Sequence, residues 1–188
     1  MRILGISGSL RDGSHNSKLV RAAGGLLDAE RAELIVYDGL KQVPPYDADD
    51  DINDAPSGVA HMREAIVAAN ALLFATPEYN SSIPGQLKNA IDWMSRPIAT
   101  NVLRNKPVAV VGASTGMFGA VWAQAELRKV LAATGARVVE GEVPVGHAQD
   151  RFDDDGRLNE SNLEQALGEL VRALVAEMRP LAGEAAAA

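Results

Sequence analysis

The sequence contains no cysteine among its 188 residues. This absence excludes disulfides, thiolate metal sites and cysteine nucleophiles. Aromatic residues make up only 4% of the chain. The histidines His15, His61 and His147 are isolated from one another, in neither an H-x-x-x-H nor a triad-like setting. No metal site and no nucleophile–base pair is therefore predicted.

Long apolar runs are also missing. No segment approaches the ~20 apolar residues that a membrane span needs, and the first residues lack the basic and apolar regions of a signal peptide. These features lead us to expect a cytoplasmic protein with no membrane partner. The formal net charge of −7 argues against nonspecific nucleic-acid binding, which depends on lysine and arginine. An anionic ligand would be held by local donors rather than by the overall field.

Two common phosphate-binding motifs are absent near the amino terminus. Gly5, Gly8 and Gly13 do not have the spacing of the G-x-G-x-x-G fingerprint, and no Gly-Lys-Ser/Thr closes a Walker loop. Both motifs let the backbone approach a pyrophosphate or triphosphate closely. Their absence makes a dinucleotide or a nucleoside triphosphate an unfavoured ligand for this region.

The same region does carry a different anion-binding pattern. The apolar run 2–7 predicts a buried strand, the loop 8–17 is rich in small and hydroxyl residues, and an amphipathic helix follows. Free backbone N–H groups and the helix dipole favour an anion at such a junction. The donors gathered there suit a terminal monophosphate and are Ser9, Arg11, Ser14, Asn16 and Ser17. The alternative is an ordinary Ser/Gly turn in which Asn16 or Ser17 only caps the helix.

Strand and helix patterns alternate five times along the chain. The predicted strands cover residues 2–7, 32–37, 71–76, 108–112 and 136–139, and residues 143–145 extend or bend the last one. This alternation predicts an α/β fold with a parallel sheet and helices on both faces. We expect one domain over residues 1–180 and a frayed tail over 181–188. Ligands bind such sheets at the carboxyl ends of the strands, which here are the loops 8–17, 77–83 and 113–119.

Residues of the second and third loops could contact a planar ring placed beside the phosphate. Tyr79 could stack on the ring, Glu78 and Asn80 could bind its polar rim, and Ser114 and Gly116 permit close backbone approach. The alternatives are ordinary turn chemistry and, for Glu78, a carboxylate favoured by the dipole of the helix that Pro84 opens.

Four local patterns complete the sequence-based predictions. Ser57 is a candidate cap of the second helix, and Ser161 with Glu164 matches a capping box of the last helix. The acidic stretch 44–54 has no metal-ligand spacing, and residues 152–156 fail the calcium-loop pattern. We therefore predict a solvated loop and a turn, respectively, and no metal.

Three segments carry a resemblance to a known family. They are G-S-L-R-x-G-S-x-N-S in the first loop, P-E-Y-N-S-S-I-P-G-x-L-K-N-A-I-D-W at 77–93 and G-A-S-T-G-x-x-G at 112–119. In this order they resemble the NAD(P)H-dependent FMN reductase family, which includes quinone, azo-dye and chromate reductases. The resemblance implies a flavodoxin-like three-layer sandwich whose five-stranded parallel sheet has the order 2-1-3-4-5.

The resemblance implies bound FMN as cofactor and NAD(P)H as co-substrate. A hydride would pass to the flavin, and two electrons would pass on to a quinone, free flavin, azo compound or chromate. It also implies a homodimer or homotetramer with residues 77–93 near the subunit contact. The flavin performs the chemistry, so no catalytic side chain is assigned; Tyr79 is a candidate, and His15 is the least unfavoured of the histidines. The expected cofactor-binding residues are Ser9, Leu10, Arg11, Ser14, His15, Asn16, Ser17, Pro77, Glu78, Tyr79, Asn80, Ser114, Thr115 and Gly116.

Two positions lie outside the pattern of that family. His15 occupies a variable position and has no assigned role, and Gln86 replaces the small residue that is usual there, which bears on flavin exposure. Backbone N–H groups of the second and third loops and the helix begun by Pro84 are the candidate donors to the ring edge that becomes anionic on reduction.

Two other function classes remain open at this point. A flavodoxin-type electron carrier would share the fold and lack nicotinamide chemistry. A nucleotide-binding Rossmann enzyme would use Asp38 to hold a ribose, but the missing glycine fingerprint argues against it.

Overall fold

A computed structural model describes residues 1–27, 30–51 and 55–178. The sequence-based prediction of a frayed tail at 181–188, and part of the predicted acidic loop, lie outside these residues. Strands and helices alternate, with short 3₁₀ turns at Gly39–Gln42, Ala48–Asp50 and Ala148–Asp150. The main elements are β1 (Arg2–Ser7), α1 (His15–Gly25), β2 (Glu33–Tyr37), α2 (Ser57–Ala68), β3 (Ala71–Thr76), α3 (Gly85–Met94), β4 (Pro107–Ala113), α4 (Val121–Ala133), β5 (Arg137–Val138), β6 (Pro144–Val145) and α5 (Ser161–Glu177).

The sheet is parallel throughout and has the order β2-β1-β3-β4-β5. This is the order predicted for a flavodoxin-like sheet. Strand β1 lies between β2 and β3, so that Leu4 pairs with Ile35 on one side and with Leu72 on the other. The chain therefore adds β2 on one side of β1 and all later strands on the other side. A crevice forms where the strand order reverses in this way, at the carboxyl ends of β1 and β3.

Alternate strand residues divide the core into two layers. Leu4 and Phe74 face the layer formed with α2, α3 and α4, whereas Ile3 and Leu73 face the layer formed with α1 and α5. All residues of β3 and β4 are buried. This pattern follows from the two-residue period of a strand that is covered on both faces. The prediction of helices on both faces is confirmed.

The fifth sheet position differs from the single strand predicted over 136–139. β5 pairs with the first two residues of β4, and β6 pairs with Gly112 and Ala113 at its far end. Gly141, with φ +135°, separates the two pieces. Residues 143–145 continue the fifth sheet position after this break, because β6 pairs in parallel with the carboxyl end of β4 on the same edge as β5.

Helix capping was predicted incorrectly at two helices. Ser57 and Ser161 are the first residues of α2 and α5, while Pro56 and Glu160 occupy the N-cap positions without a side-chain cap. Residues 153–156 do form the predicted turn, in which the Gly156 N–H donates to the Asp153 carbonyl at 3.0 Å. No helix in the described part of the chain has the length and apolar character needed to cross a membrane.

Trp93 and Trp122 provide a matched pair for testing this packing. Trp93 is fully buried in the first core layer and donates Nε1–H to the Pro44 carbonyl, whereas Trp122 is 48% exposed. We expect Trp93→Ala to lower the free energy of unfolding by about 3–5 kcal/mol, and Trp122→Ala by about 0.5 kcal/mol or less. Urea denaturation followed by circular dichroism measures both values, and equal losses would contradict the assigned burial.

Candidate functional site

Three loops meet at the carboxyl edge of the sheet and enclose an open cavity of about 240 Å³. The loops follow β1, β3 and β4, as the strand order requires. The cavity is lined by Ser9, Arg11, Ser14, His15, Asn16, Pro77, Glu78, Tyr79, Ala113, Ser114 and Thr115. Ten of these residues belong to the set expected from the sequence, and Ala113 was missed because an alanine carries no functional signal.

The serines around the cavity share one hydrogen-bonding arrangement. Each hydroxyl oxygen of Ser7, Ser9, Ser14 and Ser114 accepts the backbone N–H of the residue two positions later, at 3.1–3.4 Å. Such turns fix the loop locally. Because a hydroxyl also carries one proton of its own, the hydroxyls of Ser9, Ser14 and Ser114 keep that proton available to donate into the cavity.

The amino end of α1 adds backbone donors to the same loop. Ser14 is the N-cap: its hydroxyl accepts the Asn16 N–H and its carbonyl accepts the Lys18 N–H. The N–H groups of His15 and Ser17 have no acceptor among the described residues. Unpaired N–H groups at a helix start favour an anion. The sequence-based alternative that Asn16 or Ser17 caps this helix is wrong, since Ser14 does so.

Arg11 supplies a fixed positive charge at the edge of the cavity. Its side chain is exposed and forms no salt bridge within residues 1–27, 30–51 and 55–178. A guanidinium without a carboxylate partner retains its full set of donors for an incoming anion.

Asn16 has a different role from the one its residue type suggested. Its amide is 3% exposed; Nδ2 donates to the Ala113 carbonyl and Oδ1 accepts the Ala113 N–H, both at 2.9 Å. The side chain therefore joins α1 to the end of β4. It positions the first loop, and the Nδ2 group that was expected to donate to an anion donates to the Ala113 carbonyl.

The second loop is held in shape by α4. Asn80 and Ser81 have φ values of 52° and 59°, and Tyr79 and Ser82 exchange both backbone hydrogen bonds. Two successive positive φ values are typical of a type I′ turn. Glu126 accepts the Ser82 hydroxyl at 2.6 Å and so fixes the turn to α4. Tyr79 stays 61% exposed at the edge of the cavity.

Glu78 contacts α4 rather than the helix begun by Pro84. Its Oε2 accepts the Ala123 N–H at 2.9 Å, in the first turn of a helix whose N-cap, Ala120, has no side-chain acceptor. The alternative that Glu78 compensates the dipole of α3 is therefore wrong, because the helix that its carboxylate contacts is α4. The carboxylate compensates the amino end of α4.

The third loop is fixed by the segment that contains β6. Ser114 donates its N–H to the Val145 carbonyl and accepts the Ala148 N–H, and Gly116 accepts the His147 N–H. A Cβ on Gly146 would lie 2.2 Å from the Met117 carbonyl oxygen. Only glycine allows this close approach. Sequence reasoning missed the support from 143–148, which is separated from the loop along the chain.

Four expected residues do not line the cavity, namely Leu10, Ser17, Asn80 and Gly116. Leu10 lies within the first loop and is exposed, and Ser17 lies in the first turn of α1. Asn80 lies in the I′ turn, and Gly116 contributes its backbone to the third loop. Gln86 is used structurally, because its Nε2 donates to the carbonyls of Leu40 and Val43, each at 2.8 Å.

His15 lies against the cavity in an unusual environment. Its ring stacks on Phe152 with centroids 6.3 Å apart, and its Nδ1 is buried without a hydrogen-bond partner. Burial, followed by the charges of Arg11 and Lys18, lowers the pKa of the His15 imidazole below its ordinary value. The ring is therefore neutral near pH 7.

Comparisons with known proteins show which sequences this chain is similar to. The family model described as NADPH-dependent FMN reductase matches residues 1–150. An NAD(P)H-dependent FMN reductase from Pseudomonas aeruginosa is 41% identical over 97% of this chain and 98% of the relative. A quinone reductase from Pseudomonas putida is 38% identical over 82% of this chain and 83% of the relative.

A solved structure is similar over almost the whole fold. It is the flavoenzyme NAD(P)H:(acceptor) oxidoreductase FerB from Paracoccus denitrificans, with a TM-score of 0.82 and 34% identity. The match covers 94% of this chain and 96% of that chain.

The amide of Asn16 allows a direct test of the loop anchor. We expect Asn16→Ala to lower the free energy of unfolding of flavin-free protein by about 2–4 kcal/mol, because two buried backbone groups of Ala113 lose their partner. Ser17→Ala, at the next position, serves as the control and should change it by about 0.5 kcal/mol or less. Urea titration gives both values; a small loss for Asn16→Ala would contradict an anchoring role.

Proposed function

The chain belongs to the NADPH-dependent FMN reductase family, and on that premise we propose that its three-loop cavity holds FMN by the phosphate. When bound, FMN takes a hydride from NAD(P)H and then delivers two electrons to a small-molecule acceptor. With a quinone the balance is NAD(P)H + H⁺ + quinone → NAD(P)⁺ + hydroquinone. The contribution of the chain is to bind the flavin, to orient it and to polarise it.

One observation carries the phosphate assignment. Within residues 1–27, 30–51 and 55–178, Arg11 has no salt-bridge partner and the N–H groups of His15 and Ser17 have no acceptor. These groups lie on the same loop as the donor protons of Ser9 and Ser14. A terminal monophosphate has three oxygens and close to two negative charges at neutral pH, and it accepts hydrogen bonds from several sides. The donor set therefore fits the phosphate end of FMN.

The other two loops are the proposed walls for the flavin ring. Pro77, Glu78 and Tyr79 line the cavity on one loop, and Ser114 and Thr115 line it on the other. Tyr79 presents an exposed aromatic ring from a fixed turn, which suits contact with a planar heterocycle. The backbone of both loops is held in place before a ligand arrives, so ring orientation costs little conformational entropy.

We propose a quinone as the class of acceptor. The support comes from the relatives named quinone reductase, such as the one from Pseudomonas putida, together with the open form of the cavity. Exposed apolar side chains on the adjoining loops and in the first turn of α4 would favour a flat apolar acceptor, and they are Tyr79, Met117, Phe118 and Trp122.

A homodimer or homotetramer remains a prediction for the assembly. Phe118 and Trp122 contact each other edge to face, with centroids 5.0 Å apart, and both are about half exposed. We propose that a second copy of the chain covers part of this patch, because exposed apolar clusters of this kind mark interfaces. The cytoplasmic location also remains a prediction.

Replacement of Arg11 tests the phosphate assignment. We expect Arg11→Ala to weaken FMN binding about 10- to 100-fold, the value of a lost charged hydrogen bond, and to leave riboflavin binding nearly unchanged. Flavin reduction at saturating FMN should slow far less than binding weakens. Fluorescence titration measures the affinities, with Arg21→Ala on α1 as the matched control. Equal FMN affinity in Arg11→Ala and wild type would contradict the assignment.

Anaerobic mixing with nicotinamides separates the enzyme from an electron carrier. We expect NADPH or NADH to bleach the visible absorbance of the FMN-loaded protein with no second protein present, because hydride transfer occurs within the same cavity. Subsequent addition of a quinone should restore the colour. A flavin that keeps its colour with both nicotinamides would instead favour the flavodoxin-type carrier.

A further inference from the structure

His15 is the residue of the first loop whose role neither its position nor its partners explain. It lines the cavity beside Arg11 and Ser14, and one face of its ring lies against Phe152 at an interplanar angle of 11°. Nδ1 is sealed from solvent and has no hydrogen-bond partner. Of the two ring nitrogens, Nε2 is therefore the one left to meet a ligand.

The two charges that act on His15 are both positive. Arg11 belongs to the same loop, and Lys18 lies along α1 with its Nζ 5.8 Å from the Phe152 ring centroid. A third cation at this place would be unfavourable while the cavity contains no anion.

The carboxylates on the surrounding elements are engaged or exposed. Glu78 lies on the second loop, where its carboxylate accepts the Ala123 N–H. Asp153, next to Phe152, accepts the backbone N–H of Arg157 at 2.8 Å. Asp12 lies on the first loop and is exposed. Asp154 and Asp155 on the Phe152 turn are exposed as well, and Arg151 pairs with Glu160 at the start of α5. None of these groups gives the imidazole a direct counter-ion within the described residues.

We propose that His15 takes up a proton when the phosphate of FMN enters the cavity, so that the ring becomes a charged donor only in the filled site. This inference rests on the proposed function. A phosphate dianion beside Nε2 supplies the missing counter-charge and outweighs the repulsion from Arg11 and Lys18. The site thus gains a positive charge that the flavin-free protein does not have to accommodate.

The sign of the pH dependence follows from linkage. The pKa of His15 lies below its ordinary value in the flavin-free protein, and the bound dianion raises it. Binding therefore consumes a proton at pH values between the two, and FMN affinity increases as the pH falls through that window. The phosphate itself, whose second pKa is about 6, acts in the opposite direction and does so in every variant.

Calorimetry counts the protons directly. FMN is titrated into flavin-free protein at about pH 7 in buffers that differ in ionisation enthalpy. We expect wild type to take up roughly half to one proton per FMN, and His15→Phe, which keeps a ring against Phe152, to take up none. The FMN affinity of wild type should be about 10-fold higher than that of His15→Phe near pH 6, and the two affinities should become equal near pH 8.5. Riboflavin, which lacks the phosphate, should bind without proton uptake in both proteins.

Equal proton counts in wild type and His15→Phe would overturn the inference while leaving FMN binding intact. Failure of both proteins to bind FMN would instead refute the proposed function. A second readout covers the case in which His15→Phe does not fold. The NMR titration of the wild-type histidines, assigned through His61→Gln and His147→Gln, should show the His15 pKa rising when FMN is added. An unchanged His15 pKa would overturn the inference independently.

Discussion

The geometry of the site depends on one buried amide, the side chain of Asn16. Its two hydrogen bonds to Ala113 join segments 97 positions apart in the chain. Strands β1 and β4 are not neighbours, since β3 lies between them. The sheet spaces the ends of these strands through β3, and the amide adds a direct tie between the first loop and the last residue of β4. The hydroxyl and backbone donors of both loops then line the same cavity.

Local donors rather than overall charge make this cavity suitable for an anion. The chain carries a net charge of −7, which would repel a phosphate at long range. At short range the serines use their acceptor capacity on their own backbone and retain a proton to donate. Arg11, which has no salt-bridge partner among the described residues, adds a positive charge to these donors, and this combination suits an anion despite the acidity of the protein.

Much of the fold and of the site could be predicted from the sequence. Uninterrupted apolar runs such as Ala71–Thr76 are strands because both faces are buried, and the loop residues after them must share one edge. What local pattern could not supply was long-range pairing. The prediction that Ser57 and Ser161 cap their helices is wrong, because each serine is the first helical residue and the residue before it is the N-cap. The roles of Asn16, Glu78 and the 143–148 segment depend on partners distant in the chain.

Helix α4 holds the second and third loops in place beside the cavity. One wall loop is bonded to it through Glu78 and Glu126, and the other runs directly into its first turn. Neither wall can fold over a bound acceptor as a lid without breaking these bonds. In the described part of the chain the two loops therefore hold the cavity open, and an open cavity of this kind favours tolerance of several small-molecule acceptors over one tightly enclosed partner.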